Sequence, residues 1–314
     1  MLRLERALLD ARVAMLTSAL VAGALLAGPP GPAGGQAERG CRAAAPAGVQ
    51  AQRASMAAVP VGGQAQRSSS AAAPTGVQYD GASYPPGPAA TTPVATFSIV
   101  GFDPSTGEVG VAVQSRVFSV GNGVIWGEAD VGVVATQAWV DVSYGPRGLD
   151  LLESGLSPRE VVDSLLAADP DPLGERWPKE GRQFSVMDAE GNVATHTGPR
   201  ASEWAGHRIG EHCSAQGNIL AGPEVVEDMV AAFEDTEGHL SYRLLAALEA
   251  GQAAGGDRRG MQSAAMLIVK EGGGVWLNND VVLRLQVDDA EDPIAELRRL
   301  VDIAARQRQG RGGG

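Results

Sequence analysis

The sequence predicts an α+β fold built on antiparallel sheets, and three observations carry that prediction. Strand-patterned segments come in blocks, helix-patterned segments come in pairs, and the first block opens with a hairpin pattern. Strict alternation of strand and helix would instead have argued for a parallel sheet. Two sheets stacked face to face, each covered outside by a helix pair, fit this order.

The first two strands are predicted over 96–102 and 108–116. Both arms are rich in β-branched residues, and Asp103-Pro104-Ser105-Thr106-Gly107 supplies turn chemistry between them. With Phe102 paired to Glu108, the register sets Thr96 opposite Gln114 and places Arg116 diagonally across on the same face. Diagonal cross-strand neighbours lie about 7–8 Å apart, within reach of a long side chain. A hydroxyl, an amide and a guanidinium would then meet at one end of the hairpin.

An apolar run predicts a third strand over 131–137, and a helix follows over 146–154. Ser157-Pro158-Arg159-Glu160 is a capping box with proline at the first helical position. Val161, Val162, Leu165 and Leu166 supply that helix with its apolar face. A second hairpin is expected over 183–188 and 192–197 around Ala189-Glu190-Gly191, with a continuous strand over 207–214. Val226, Met229, Val230 and Phe233 stand at helical spacing in 223–235, and another helix is expected over 241–250. Strands over 264–270 and 281–287 and an amphipathic helix over 293–306 complete the domain; 307–314 reads as a disordered tail.

Composition narrows the functional classes. The 314 residues carry a net charge of −12, and of 25 basic residues only Lys179 and Lys270 are lysines. Without a basic stripe, nucleic acid is not an expected partner. Arg3, Arg6 and Arg12 precede an apolar run from Val13 to Gly28, and Gly35-Gln36-Ala37 offers small residues for cleavage. Residues 1–37 therefore read as an export signal, either removed or kept as an anchor, which makes the protein exported and any membrane contact confined to this segment. From 38 to 95 the chain is rich in Ala, Pro, Gly, Ser and Gln, with a degenerate repeat; it reads as a disordered tether.

Cys41 and Cys213 do not make a disulfide framework, and Cys213 reads as a buried small apolar residue. His196, His207, His212 and His239 lack metal-ligand spacing, since His207 and His212 would point to opposite faces of one strand. No metal and no cofactor is expected. Asp257-Arg258-Arg259 follows a glycine pair in a loop suited to clamping a carboxylate through a bidentate guanidinium. Tyr144 and Arg147 are further candidates to line such a cleft.

A threonine that opens the first strand, a turn, and a second strand ending in Ser115-Arg116 resemble the start of a proteasome-type β-subunit. Further pieces match in order: Ala135-Thr136-Gln137-Ala138, Ser143-Tyr144-Gly145-Pro146-Arg147-Gly148-Leu149, Gln216-Gly217-Asn218, Leu220-Ala221-Gly222-Pro223, and the run from Ala250 to Gly260. Together these are similar to the domain of unknown function 1028 family, a bacterial relative of the N-terminal-nucleophile hydrolases. The resemblance runs from Thr96 to about Leu300. It implies a four-layer αββα sandwich over 96–306 and an amide hydrolase acting on a small amide or peptide-like substrate; a homo-oligomer is compatible with it.

In that resemblance Thr96 is the nucleophile and its own α-amine the base. An α-amine has a pKa near 7.7–8.0, which suits that task. Asn218 and the Gly217 backbone fall where the superfamily supplies oxyanion donors, with Gln114 and Arg116 in support. Two departures stand out. Gln114 replaces an acidic residue before Ser-Arg, and the third strand has no lysine; Arg116 is the substitute cation, although a guanidinium cannot shuttle a proton. The competing reading is a catalytically silent member of the same fold that binds a ligand or partner. The enzyme reading requires the bond between Ala95 and Thr96 to be cut, because the amine is otherwise locked in a peptide.

Overall fold

The computed structural model describes residues 94–311. The segment read from sequence as an export signal, Cys41 and the segment read as a tether, up to residue 93, lie outside the described residues, as do residues 312–314.

β1 (Thr96–Asp103) and β2 (Glu108–Ser115) form the predicted hairpin, but in a different register. Asp103 pairs with Glu108, so Thr96 stands opposite Ser115 and Phe97 opposite Gln114. The cause is the turn. The Asp103 carboxylate accepts from the Ser105 backbone N–H at 2.9 Å and from its hydroxyl at 2.7 Å, and Gly107 N–H donates to the Asp103 carbonyl at 2.8 Å. That closes a four-residue loop and draws Asp103 into the strand. A one-residue change exchanges faces, so Gln114 leaves the Thr96 face for the face carrying Phe97 and Ala112. Arg116 falls just beyond β2 and is exposed.

A single short turn, α1 (Gly121–Val124), leads into β3 (Ile125–Glu128), a strand too brief to register in the sequence pattern, and β4 (Gly132–Ala138) pairs with it. Next come α2 (Tyr144–Glu153) and α3 (Pro158–Ala167). At the start of α3 the Ser157 hydroxyl and Glu160 carboxylate form the expected capping box. β5 (Arg182–Asp188) and β6 (Val193–Thr197) follow. The predicted continuous strand over 207–214 is instead a hairpin, β7 (Gly206–Gly210) and β8 (Cys213–Asn218). Its two-residue turn puts His212 at φ 61°, so His207 and His212 do not share a strand. α4 (Glu224–Asp235), α5 (Leu240–Ala253), β9 (Ser263–Val269) and β10 (Val281–Val287) precede α6 (Pro293–Arg311), which runs past Arg306 to Arg311.

The strands make two antiparallel sheets, one of six in the order β10-β9-β2-β1-β8-β7 and one of four in the order β3-β4-β5-β6. Strand alternation divides the core. Phe97, Ile99, Ala112 and Ala215 pack with Val226, Met229, Phe233, Leu244 and Leu248 of α4 and α5, and with Leu297 and Val301 of α6. Val100, Val111, Val113 and Leu267 of the larger sheet meet Val133, Ala135 and Met187 of the smaller one. Val134, Phe184 and Val186 pack with Leu149, Val161 and Leu165 of α2 and α3. Thr96, Ser98 and Ser115 therefore lie on the sheet-facing side of their strands.

Candidate active site

β1 runs between β2 and β8, which aligns three side chains in one row: Ser115, Thr96 and Asn218, each directly opposite its neighbour. All three are fully buried. The Thr96 hydroxyl lies 3.2 Å from both Ser115 Oγ and the Val94 carbonyl, and it has one proton to donate. The Ser115 hydroxyl donates to the Ala95 carbonyl at 2.5 Å. Arg259 Nη2 donates to the same carbonyl oxygen at 2.9 Å. The carbonyl of the bond that would have to be cut thus receives a neutral and a cationic donor, and the cationic one is the stronger kind.

The chain preceding Thr96 is held as well. Val94 N–H donates to the Ala138 carbonyl at 2.9 Å, and Ala138 N–H returns a bond to the Val94 carbonyl at 3.2 Å. Residues 94 and 95 are thus laid across the end of β4, in the smaller sheet, while Thr96 begins the central hairpin of the larger one.

Behind the row lies a seam of buried amides. Gln137 Nε2 donates to the Thr96 carbonyl at 3.2 Å and to Gln183 Oε1 at 3.0 Å, while its Oε1 accepts from the Ser98 hydroxyl at 2.7 Å. Gln183 Nε2 donates to the Gly217 carbonyl at 2.8 Å, and Asn218 Nδ2 donates to Gln183 Oε1 at 3.2 Å. Gln216 Nε2 donates to the Ala135 carbonyl at 3.1 Å. Such groups are costly to bury unless bonded, and Gln216 Oε1 and Asn218 Oδ1 have no protein partner.

The residues singled out from sequence divide accordingly. Thr96, Gly217, Asn218 and Arg259 come together. Asp257 joins them indirectly: its buried carboxylate accepts from Arg259 Nε at 3.2 Å and Nη2 at 2.9 Å, so it aims the guanidinium at Ala95. The fork that was expected to clamp an external carboxylate is already engaged within the chain. Gln114 donates only a long bond, 3.5 Å, to the Gly260 carbonyl on the far face, and Arg116 donates to Gln262 Oε1 at 3.1 Å. Neither reaches Thr96.

Tyr144 does not line a cleft. It is buried beneath α2, its ring edge-on to Phe184, and its hydroxyl donates to Asp169 at 2.7 Å. Burial foremost, then the bond to Asp169, raises its pKa well beyond the phenolic range. Arg147 lies half-buried in the first turn of the same helix. Ser115, Gln137 and Gln183 are the members that sequence reasoning missed. Their signal was weak: each sits at or next to a strand end beside another polar residue, Ser115 between Gln114 and Arg116, Gln137 after Thr136 and Gln183 after Arg182. Cys213 is buried, and desolvation pushes its thiol up to about 12, so it remains protonated and inert. Among the described residues, no group of three or more His, Cys, Asp and Glu side chains is placed to hold a metal ion.

The model for a family described as of unknown function, DUF1028, matches residues 96–297. The chain belongs to this family. A crystal structure of another DUF1028 protein, SPO2555 from Silicibacter pomeroyi, is similar to it at 30% identity and a TM-score of 0.59. That similarity covers 67% of this chain and 89% of the other. No curated protein matches the chain.

Proposed function

We propose that this DUF1028 protein is an exported N-terminal-threonine amide hydrolase of the N-terminal-nucleophile type. In this reading its two sheets and their helices form a four-layer αββα sandwich. It matures by cutting its own chain between Ala95 and Thr96. The observation that carries the reading is the grip on the Ala95 carbonyl by Ser115 and Arg259, with the Thr96 hydroxyl in contact with Ser115. Donors aimed at an oxygen that becomes anionic are the main electrostatic means of accelerating acyl transfer.

The chemistry balances within the chain. Thr96 Oγ attacks the Ala95 carbonyl carbon, its proton passes to Ser115 Oγ, and the Ser115 proton passes to the carbonyl oxygen. The adduct collapses, the C–N bond breaks, and the nitrogen takes the proton from the adduct hydroxyl. This leaves Ala95 as an ester on Thr96 and frees the α-amine. Water hydrolyses the ester, and the freed amine is then the base for later turnovers. Gln137 holds the Thr96 carbonyl, and Asp257 orients Arg259. Asn218 is committed to Gln183 before cleavage, so its assigned role as an oxyanion donor belongs to the matured enzyme. Gln114 and Arg116 have no part in the cleavage step.

The test is intact mass of the purified exported protein together with amide hydrolysis. A species starting at Thr96 is expected, absent in Thr96→Ala and formed more slowly in Thr96→Ser. A protein that never shows this species is not an enzyme by this route. The second reading, a silent module that binds a ligand or partner, would then stand. It draws on the complete burial of Thr96 and on Gln114 in place of an acidic residue.

A further inference from the structure

If the chain cuts itself as proposed above, the ester formed on the way has a definite composition: the Ala95 acyl group, preceded by Val94, attached to Thr96 Oγ. An acyl-enzyme made from an external amide is the same kind of species, an acyl group on the same oxygen. A site that hydrolyses the first must therefore accommodate an acyl arm ending in Val-Ala. Before cleavage that arm is held in place along its length. Val94 exchanges both backbone hydrogen bonds with Ala138, and Ala95 is fully buried, with its carbonyl on Ser115 and Arg259.

We infer that the matured protein acts on peptidyl amides with an extended backbone and an alanine-sized residue at the acyl position, and that its own residues 94 and 95 occupy the subsites of that substrate. The backbone of Ala138 then pairs with the second residue before the cleaved bond, where Val94 stands in the uncut chain, as an added strand pairs with a sheet edge. The reaction cleaves the substrate C–N bond, forms the ester to Thr96 Oγ, and sends the threonine proton through the α-amine to the leaving amine. Water completes the turnover. Selection arises because Ala95 is enclosed on every side. A larger side chain must displace packed atoms, and close-packed interiors resist that.

The probes are acetyl-Val-Ala, acetyl-Val-Leu and acetyl-Val-Phe p-nitroanilides, tested on protein that has matured from the full chain. The alanyl compound should be preferred in kcat/KM by about tenfold or more over both others, the scale at which pocket size discriminates. Acetyl-Val-Ala, the matching product, should inhibit competitively. Matured protein that hydrolyses the three equally, prefers Leu or Phe, or turns over only non-peptide amides overturns this inference and leaves the hydrolase reading standing. A full chain that never yields the Thr96 start overturns both. A second measurement does not depend on added substrate: Ala95→Phe in the full chain should slow maturation, and by more than Ala95→Ser. Equal rates for Ala95→Phe and the unaltered chain count against the enclosed subsite.

Discussion

Ser115 uses its hydroxyl in both directions, accepting from Thr96 and donating to the Ala95 carbonyl. Alanine at this position removes the relay and one of two donors, while Arg259 still holds the oxygen. Loss of one oxyanion donor costs about 10²–10³ in rate. Ser115→Ala should therefore slow maturation by that order, read from a time course of intact mass, with the melting temperature nearly unchanged. Arg259→Lys should also slow it, because a point charge cannot bond Asp257 twice and still reach Ala95. Away from the site, the buried group with most at stake is Asp169. Burial pushes its carboxyl up, but bonds from Tyr144, the Asp171 N–H and Arg182 together hold its pKa below the ordinary value. A depressed folded-state pKa means stability that is complete above the unfolded value of about 4 and lost as pH falls below it. Asp169→Asn leaves the Arg182 charge buried and unpaired, at a cost of about 3–5 kcal/mol near neutrality. Thermal unfolding of both proteins between pH 7 and pH 3 should show that gap narrowing as the solution is acidified.

Between elements, the contact that fixes the central hairpin against its helices is made by two glycines. Gly101 and Gly110 stand opposite each other in β1 and β2. A Cβ on Gly101 would meet Phe233 of α4 at 2.6 Å and Leu244 of α5 at 3.3 Å; one on Gly110 would meet Leu244 at 3.0 Å. Gly101→Ala should therefore force α4 and α5 off the sheet, at about 1–3 kcal/mol in urea unfolding. Element identity was largely legible: the hairpin arms by alternation, α3 by its capping box, α4 by the spacing of its apolar residues. Registers and short elements were less so. Asp-Pro-x-x-Gly fits a loop of four or five residues, and only the Asp103 side chain bonding to Ser105 settles which. The β7–β8 turn was hidden because Glu211-His212 holds no glycine or proline, with His212 taking a left-handed conformation that sequence seldom assigns to it. No helix among the described residues is long and apolar enough to cross a membrane.

Across the molecule, the two sheets are joined in two chemically different ways. Away from Thr96 they meet through apolar residues such as Val111, Leu267 and Met187; beside Thr96 they meet through the amides of Gln137, Gln183, Gln216 and Asn218. That seam was not legible because its members come from three strands far apart in the chain, and only stacking of the sheets gathers them. Each of these amides carries directional bonds that an apolar contact lacks, and through Gln137 they hold the Thr96 carbonyl. Gln183 is the hub. It stands opposite both Gln137 and Thr197 in the smaller sheet and reaches across to the Gly217 and Gly206 carbonyls and to Asn218 in the larger. Gln183→Leu matches its bulk but strands two carbonyls, the Asn218 amide and one Gln137 N–H in a dry interior. Each unsatisfied buried group costs about 1–3 kcal/mol, and partial rearrangement should leave a net loss of about 2–4 kcal/mol in urea unfolding. Maturation should slow as well, because Gln137 loses the partner that positions it under the Thr96 carbonyl. Gln183→Glu, which keeps the acceptor for Gln137 and Asn218 but not the donors, should lie between. If Gln183→Leu proved as stable as the unaltered chain and matured at the same rate, the seam would be filler between the sheets and would have no part in holding Thr96 in place.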